Sequence, residues 1–151
     1  MEIPTADQRR VSLEQGAQIL APVLNPHGFK FRTVDFGRCS GGSYAHGEFV
    51  RDDRRLELHL RWSLGCVIYH FGPLSLQHDD YMRALLGRSR VGYFPGPHSD
   101  DPLAGFEELR RDLLEHCSDF LTGSAEQFLR CVEKHHRYDA LSPWQKLEYG
   151  S

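Results

Sequence analysis

Eight residues, Arg55 to Trp62, alternate without a fault: Leu56, Leu58, Leu60 and Trp62 against Arg55, Glu57, His59 and Arg61. A side-chain period of two is the mark of a strand with one buried and one wet face. Such a strand cannot bury its apolar row alone, so it forces its neighbours to be strands in a matching register. The chain before and after it obliges. Four strands are expected, Phe29–Phe36, Ser43–Val50, Arg54–Trp62 and Val67–Phe71, with turn signals at Ser40-Gly41-Gly42, Asp52-Asp53 and Leu64-Gly65. Connections this short require antiparallel pairing, because parallel strands need a crossover of about a dozen residues or more.

Burial sets the register. A two- or four-residue turn at Asp52-Asp53 places Phe49 opposite Leu56, Gly47 opposite Leu58 and Ala45 opposite Leu60. A turn one residue different would set Phe49 against Glu57 and turn every apolar group outward. On the polar side Tyr44 then faces Arg61, His46 faces His59, and Glu48 faces Glu57. A turn at Leu64-Gly65 pairs Trp62 with Val67, Leu60 with Tyr69, Leu58 with Phe71 and His59 with His70. His46, His59 and His70 are thereby expected in one row across three strands.

The period is helical on either side of this block. Ser12 to Leu24 carries Leu13, Ala17, Leu20 and Leu24 at helical spacing, with Ser12 and Gln15 as a capping box, and Asn25-Pro26-His27-Gly28 stops it. Helices are also expected over Asp79–Leu86, Leu103–Leu121 and Ser124–Tyr138, with a last turn at Ser142-Pro143-Trp144. The expected fold class is α+β: an N-terminal helix, a four-stranded antiparallel meander sheet, and three C-terminal helices packed on one sheet face. At 151 residues, residues 1–151 are read as one domain, able to bury roughly 70% of the surface of its unfolded chain without a staple.

Charge narrows the partners. Residues 1–75 hold 9 basic and 8 acidic side chains, and residues 76–151 hold 9 basic and 13 acidic. Neither half has the positive field that phosphate backbones demand, so general nucleic-acid binding is not expected. No apolar run approaches the ~20 residues of a spanning helix, and the N-terminus lacks a signal-peptide core, so no membrane partner is expected. Cys39, Cys66, Cys117 and Cys131 form no C-x-x-C pair, and reduced thiols in a cytoplasmic protein account for them.

Two functions suit the polar sheet face. Three imidazoles with an open fourth position form a catalytic zinc arrangement, so His46, His59 and His70 would hold zinc or another divalent metal, with Glu48 or Glu57 as base toward bound water. The plainer reading is a solvated or partner-binding face, because histidines are common on half-exposed strands. The facing pair Glu48 and Glu57 is repulsive unless Arg55, Arg61 or a cation neutralises it. Binding would then use Tyr44, His46, His59 and Arg61, together with Tyr93 and Phe94 of the proline-stiffened loop Tyr93–Pro97.

Other clusters have structural explanations. Cys131 and His135, one helical turn apart, read as a core cysteine and a surface histidine. His78-Asp79-Asp80 and Asp100-Asp101-Pro102 read as helix starts. Cys39–Ser43 reads as a hairpin turn without the strand-to-helix context of a nucleophile elbow. Arg51, Arg54 and Arg55 read as a solvated tip.

Leu56-Glu57-Leu58-His59-Leu60-Arg61 with Ser63-Leu64-Gly65, then Tyr93-Phe94-Pro95-Gly96 and Ser99-Asp100-Asp101-Pro102-Leu103, resemble stretches of small bacterial proteins without an assigned activity. The layout is also similar to immunity proteins of bacterial toxin systems, by size and architecture alone. With no convincing catalytic constellation, the expectation is a non-catalytic, cytoplasmic protein-interaction module of immunity or regulatory type, needing no cofactor. Its partner is expected to be a protein, a basic one if the acidic second half is used. The alternative is a small metal-dependent hydrolase on the three-histidine row.

Overall fold

A computed structural model describes residues 5–87 and 101–148. The elements run α1 (Ala6–Leu24), a 3-10 turn (Asn25–His27), β1 (Lys30–Cys39), β2 (Gly42–Arg51), β3 (Arg54–Leu60), β4 (Leu64–Phe71), β5 (Leu74–Gln77), α2 (His78–Leu86), α3 (Ala104–His116), α4 (Ser118–Thr122), α5 (Ala125–Asp139) and α6 (Pro143–Glu148). The class is α+β as expected, with an N-terminal helix, an antiparallel sheet and C-terminal helices.

The sheet has five strands rather than four, in the order β1-β2-β3-β4-β5. The extra strand, β5, follows Gly72, whose left-handed φ of 59° turns the chain back on β4. Its four residues are too few to show a period against the helix that follows at once.

The β2–β3 ladder is the expected one: Ala45↔Leu60, His46↔His59, Gly47↔Leu58, Glu48↔Glu57 and Phe49↔Leu56. It stops at Ala45, so Tyr44 does not face Arg61. The β3–β4 ladder differs from expectation: Leu58 pairs with Val67, Leu56 with Tyr69, and His59 with Cys66, while His70 lies opposite Arg55. The reversal occurs at Arg61–Ser63, where the Arg61 amide donates to the Ser63 carbonyl, and Leu64-Gly65 is already strand. Trp62 therefore leaves the core face and lies 62% exposed beneath the Arg9 guanidinium, 4.6 Å from the ring centroid. The slip is an even number of residues, so every β4 side chain keeps its face.

Helix α1 begins six residues before the expected start, capped by Thr5 and Gln8 rather than Ser12 and Gln15. Its first turns carry an ion-pair ladder, Asp7–Arg10–Glu14, in place of an apolar stripe. The expected Leu103–Leu121 helix is two helices broken at Cys117. The Ser124–Gln127 capping box of α5 is present.

Leu13, Leu20 and Leu24 of α1, the inner rows of β2–β4, and Tyr81, Phe106, Phe120 and Phe128 of the later helices form one core. Each fully buried side chain of this kind contributes roughly 1.5–3 kcal/mol. Within it, the Tyr69 hydroxyl stands 2.8 Å from His78 Nδ1, and His78 Nε2 stands 2.8 Å from Asp112 Oδ2. His78 is thus buried and bonded to β4 and α3, a larger role than starting a helix.

Candidate functional site: the outward sheet face

The apolar row of each central strand points at the helices, so the alternate row points away from them. That row comprises Tyr44, His46 and Glu48 on β2, Arg55, Glu57 and His59 on β3, and Cys66, Ile68 and His70 on β4. On β1 a bulge between Thr33 and Asp35 turns Asp35 to the same side, where it accepts a hydrogen bond of 2.8 Å from the Tyr44 hydroxyl.

Glu57 is the hub. Its Oε2 lies 2.6 Å from His59 Nε2 and 4.0 Å from His46 Nε2, and its Oε1 lies 3.0 Å from His70 Nε2 and 3.8 Å from an Arg55 guanidinium nitrogen. The rings of His46 and His59 stack at 4.0 Å between centroids, 15° from parallel. All three sequence-predicted histidines therefore share the face. His46 and His59 are adjacent, whereas His70 reaches them through the opposite side of the Glu57 carboxylate. Glu57, expected with Glu48 as an alternative base, sits between His59 and His70.

Burial pushes the Glu57 carboxyl upward, but hydrogen bonds from His59 and His70 outweigh it and hold the group below its ordinary range. Burial, reinforced by His59, holds His46 below the usual histidine value. His46 Nε2 is shut off from solvent and has no hydrogen-bond partner.

The other glutamate has a different setting. Glu48 is 2% exposed, and its Oε1 accepts from Arg32 while Arg55 lies 3.2 Å from Oε2. Arg55 spans both carboxylates and resolves the Glu48–Glu57 repulsion. Among the four cysteines, Cys39 lies at the β1–β2 tip, 3.5 Å from an Arg61 nitrogen. The Gly41 backbone, ahead of that guanidinium, lowers the Cys39 thiol from its ordinary value. Burial raises Cys117 and Tyr69 strongly, so the Tyr69–His78–Asp112 chain offers no ready nucleophile.

The arginine tip is not simply solvated. Arg51 donates to the carbonyls of His27 and Leu121, and Arg54 to those of Phe120 and Gly123. Tyr93 and Phe94 lie outside the described residues. Elsewhere, an open groove of about 600 Å³ between α1 and β1 has Ala17, Ala21, Phe29, Phe31 and Phe49 in its apolar lining. Among the described residues, no helix is long and apolar enough to cross a membrane.

Compared with models of protein families, with curated proteins and with solved structures, the chain matches none.

Proposed function

We propose that the chain is a non-catalytic binding protein of the cytoplasm, an interaction module of immunity or regulatory type, whose working surface is the outward face of the sheet. One observation carries this reading. Tyr44, His46, Glu57 and His59 are held in place by their neighbours on an outward face. Side chains ordered in advance lose less entropy when a partner docks. Arg61 at the hairpin tip extends the same surface. The partner fits best as a protein, because the face mixes both charges with aromatic and imidazole groups instead of presenting a basic stripe. Residues 101–126, with seven acidic and two basic side chains, would add steering toward a basic partner.

The test uses the immobilised protein, a Tyr44→Ala/His59→Asp variant and a Leu114→Ala control on the exposed helical side. The expected result is a protein retained by wild type and control but lost by the face variant, and binding directly once purified. Identical retention by all three would overturn the reading.

A further inference from the structure

We infer that His46, His59 and Glu57 form a binding site for one divalent transition-metal ion of the zinc class, with His70 and Arg55 orienting the carboxylate from behind. The inference concerns the same outward face but needs no partner, so it stands or fails separately from the binding reading.

The donor atoms come first. One ring nitrogen each of His46 and His59 and a carboxylate oxygen of Glu57 lie within 4.8 Å of one another, the one such trio among the described residues. They derive from two strands in the ladder that burial fixes most firmly, so backbone pairing holds their spacing. Bonds of about 2.0–2.2 Å from zinc to nitrogen and oxygen place tetrahedral ligand atoms roughly 3.3–3.5 Å apart. The 2.6 Å contact of His59 with Glu57 must open, and the 4.0 Å separation of His46 from Glu57 must close. Both changes are fractions of an ångström, and the two rings, stacked 15° from parallel, must also turn about their Cβ–Cγ bonds so that their in-plane lone pairs converge on the ion.

Hydrogen bonding points the same way. His59 is satisfied by Glu57, but His46 Nε2 is enclosed without a partner a short distance from the same oxygen. A cation between the three atoms would take a lone pair from each ring and from the carboxylate, the His59 proton shifting from Nε2 to Nδ1, or leaving to water if both nitrogens were protonated. That gives the enclosed His46 Nε2 the partner it lacks.

The outer groups complete the arrangement. Glu57 Oε1 is held at 3.0 Å by His70 and approached at 3.8 Å by Arg55, so only Oε2 remains for the ion. Partners of this kind fix a ligand's orientation without touching the metal. Two imidazoles and one carboxylate suit zinc, cobalt, nickel or copper, whereas calcium and magnesium demand oxygen ligands. Three protein ligands on an open face leave at least one position for water or for a group from a docking partner.

Cobalt(II) titration of chelator-treated protein, followed by visible absorption and by equilibrium dialysis, tests the assignment. Wild type is expected to bind one ion, and excess zinc but not magnesium to displace it. His46→Ala and His59→Ala should abolish saturable binding at unchanged far-UV circular dichroism, while His70→Gln should retain the stoichiometry at about 10- to 100-fold lower affinity. His116→Ala should behave as wild type. No saturable binding by folded wild type overturns the site, as does binding that survives both His46→Ala and His59→Ala. Loss in His70→Gln as complete as in His59→Ala would overturn its place behind the carboxylate.

Discussion

Glu48 and Glu57 face each other across two strands and differ in what removal would do. Glu48 is buried while its partners Arg32 and Arg55 are 67% and 41% exposed, so the charge that suffers isolation is the carboxylate. Glu48→Leu lets both guanidiniums turn to water and should stay within about 1 kcal/mol of wild type. Arg32→Ala/Arg55→Ala strands a carboxylate out of water and should cost about 3 kcal/mol. Urea midpoints at neutral pH measure both, and equal losses would refute the asymmetry. The thiols make a second case at this scale. Cys39 is exposed, and the Gly41 backbone and Arg61 favour its thiolate, whereas burial raises Cys66 and Cys131. Iodoacetamide should label Cys39 first, with a pH midpoint below that of an ordinary thiol, and Arg61→Ala should move that midpoint upward. Faster labelling of Cys66 would contradict this.

Elements meet at contacts the sequence only half displays. The β2–β3 register was legible because Leu56, Leu58 and Leu60 must share a face with Phe49 and Ala45 and the turn at Asp52-Asp53 is short. The β3–β4 register was not, because Trp62 continues the alternation in sequence but not in space, and nothing in the run distinguishes a core tryptophan from one covered by Arg9. The pairing of His46 with His59 was therefore readable, while the position of His70 behind Glu57 depended on a turn that periodicity does not fix. The grip of Arg51 and Arg54 on α4 was invisible for another reason: its acceptors are backbone carbonyls some 70 residues away. Arg54 donates to Phe120 and Gly123 at 2.9 and 2.7 Å, each a bond from a charged donor worth about 1.5–3 kcal/mol. Arg54→Ala should lower stability by about 2 kcal/mol, and Arg54→Lys should recover little, since one ammonium lacks the planar fork. Full rescue by lysine in denaturant melts would discount the geometry. Where α1 crosses α3, Gly16 has no room for a Cβ, which would overlap the Phe106 ring. Gly16→Ala should therefore destabilise by about 1–3 kcal/mol despite its better helix propensity.

Among the described residues the buried aromatic mass lies on one side of the sheet, and this gives an optical test of the β3–β4 register. Tyr69, Tyr81, Phe106, Phe120 and Phe128 are fully buried, yet Trp62 and Trp144, the two tryptophans of the chain, are 62% and 79% exposed. Core and indoles therefore report different events. On unfolding in urea the tryptophan emission maximum should move little, because both rings already meet water. The far-UV dichroism should fall in one transition, and the near-UV signal of the packed tyrosines should vanish with it. Trp62→Phe should change stability by less than about 0.5 kcal/mol, as surface substitutions generally do, whereas Phe128→Ala should remove about 3–5 kcal/mol. The alternative register, with Trp62 paired to Val67, puts that indole in the core. It demands blue-shifted emission from the folded protein and a cost of several kcal/mol for Trp62→Ala. Either result would move His70 opposite His59, take it from behind the Glu57 carboxylate, and with it change which side chains can meet a metal ion.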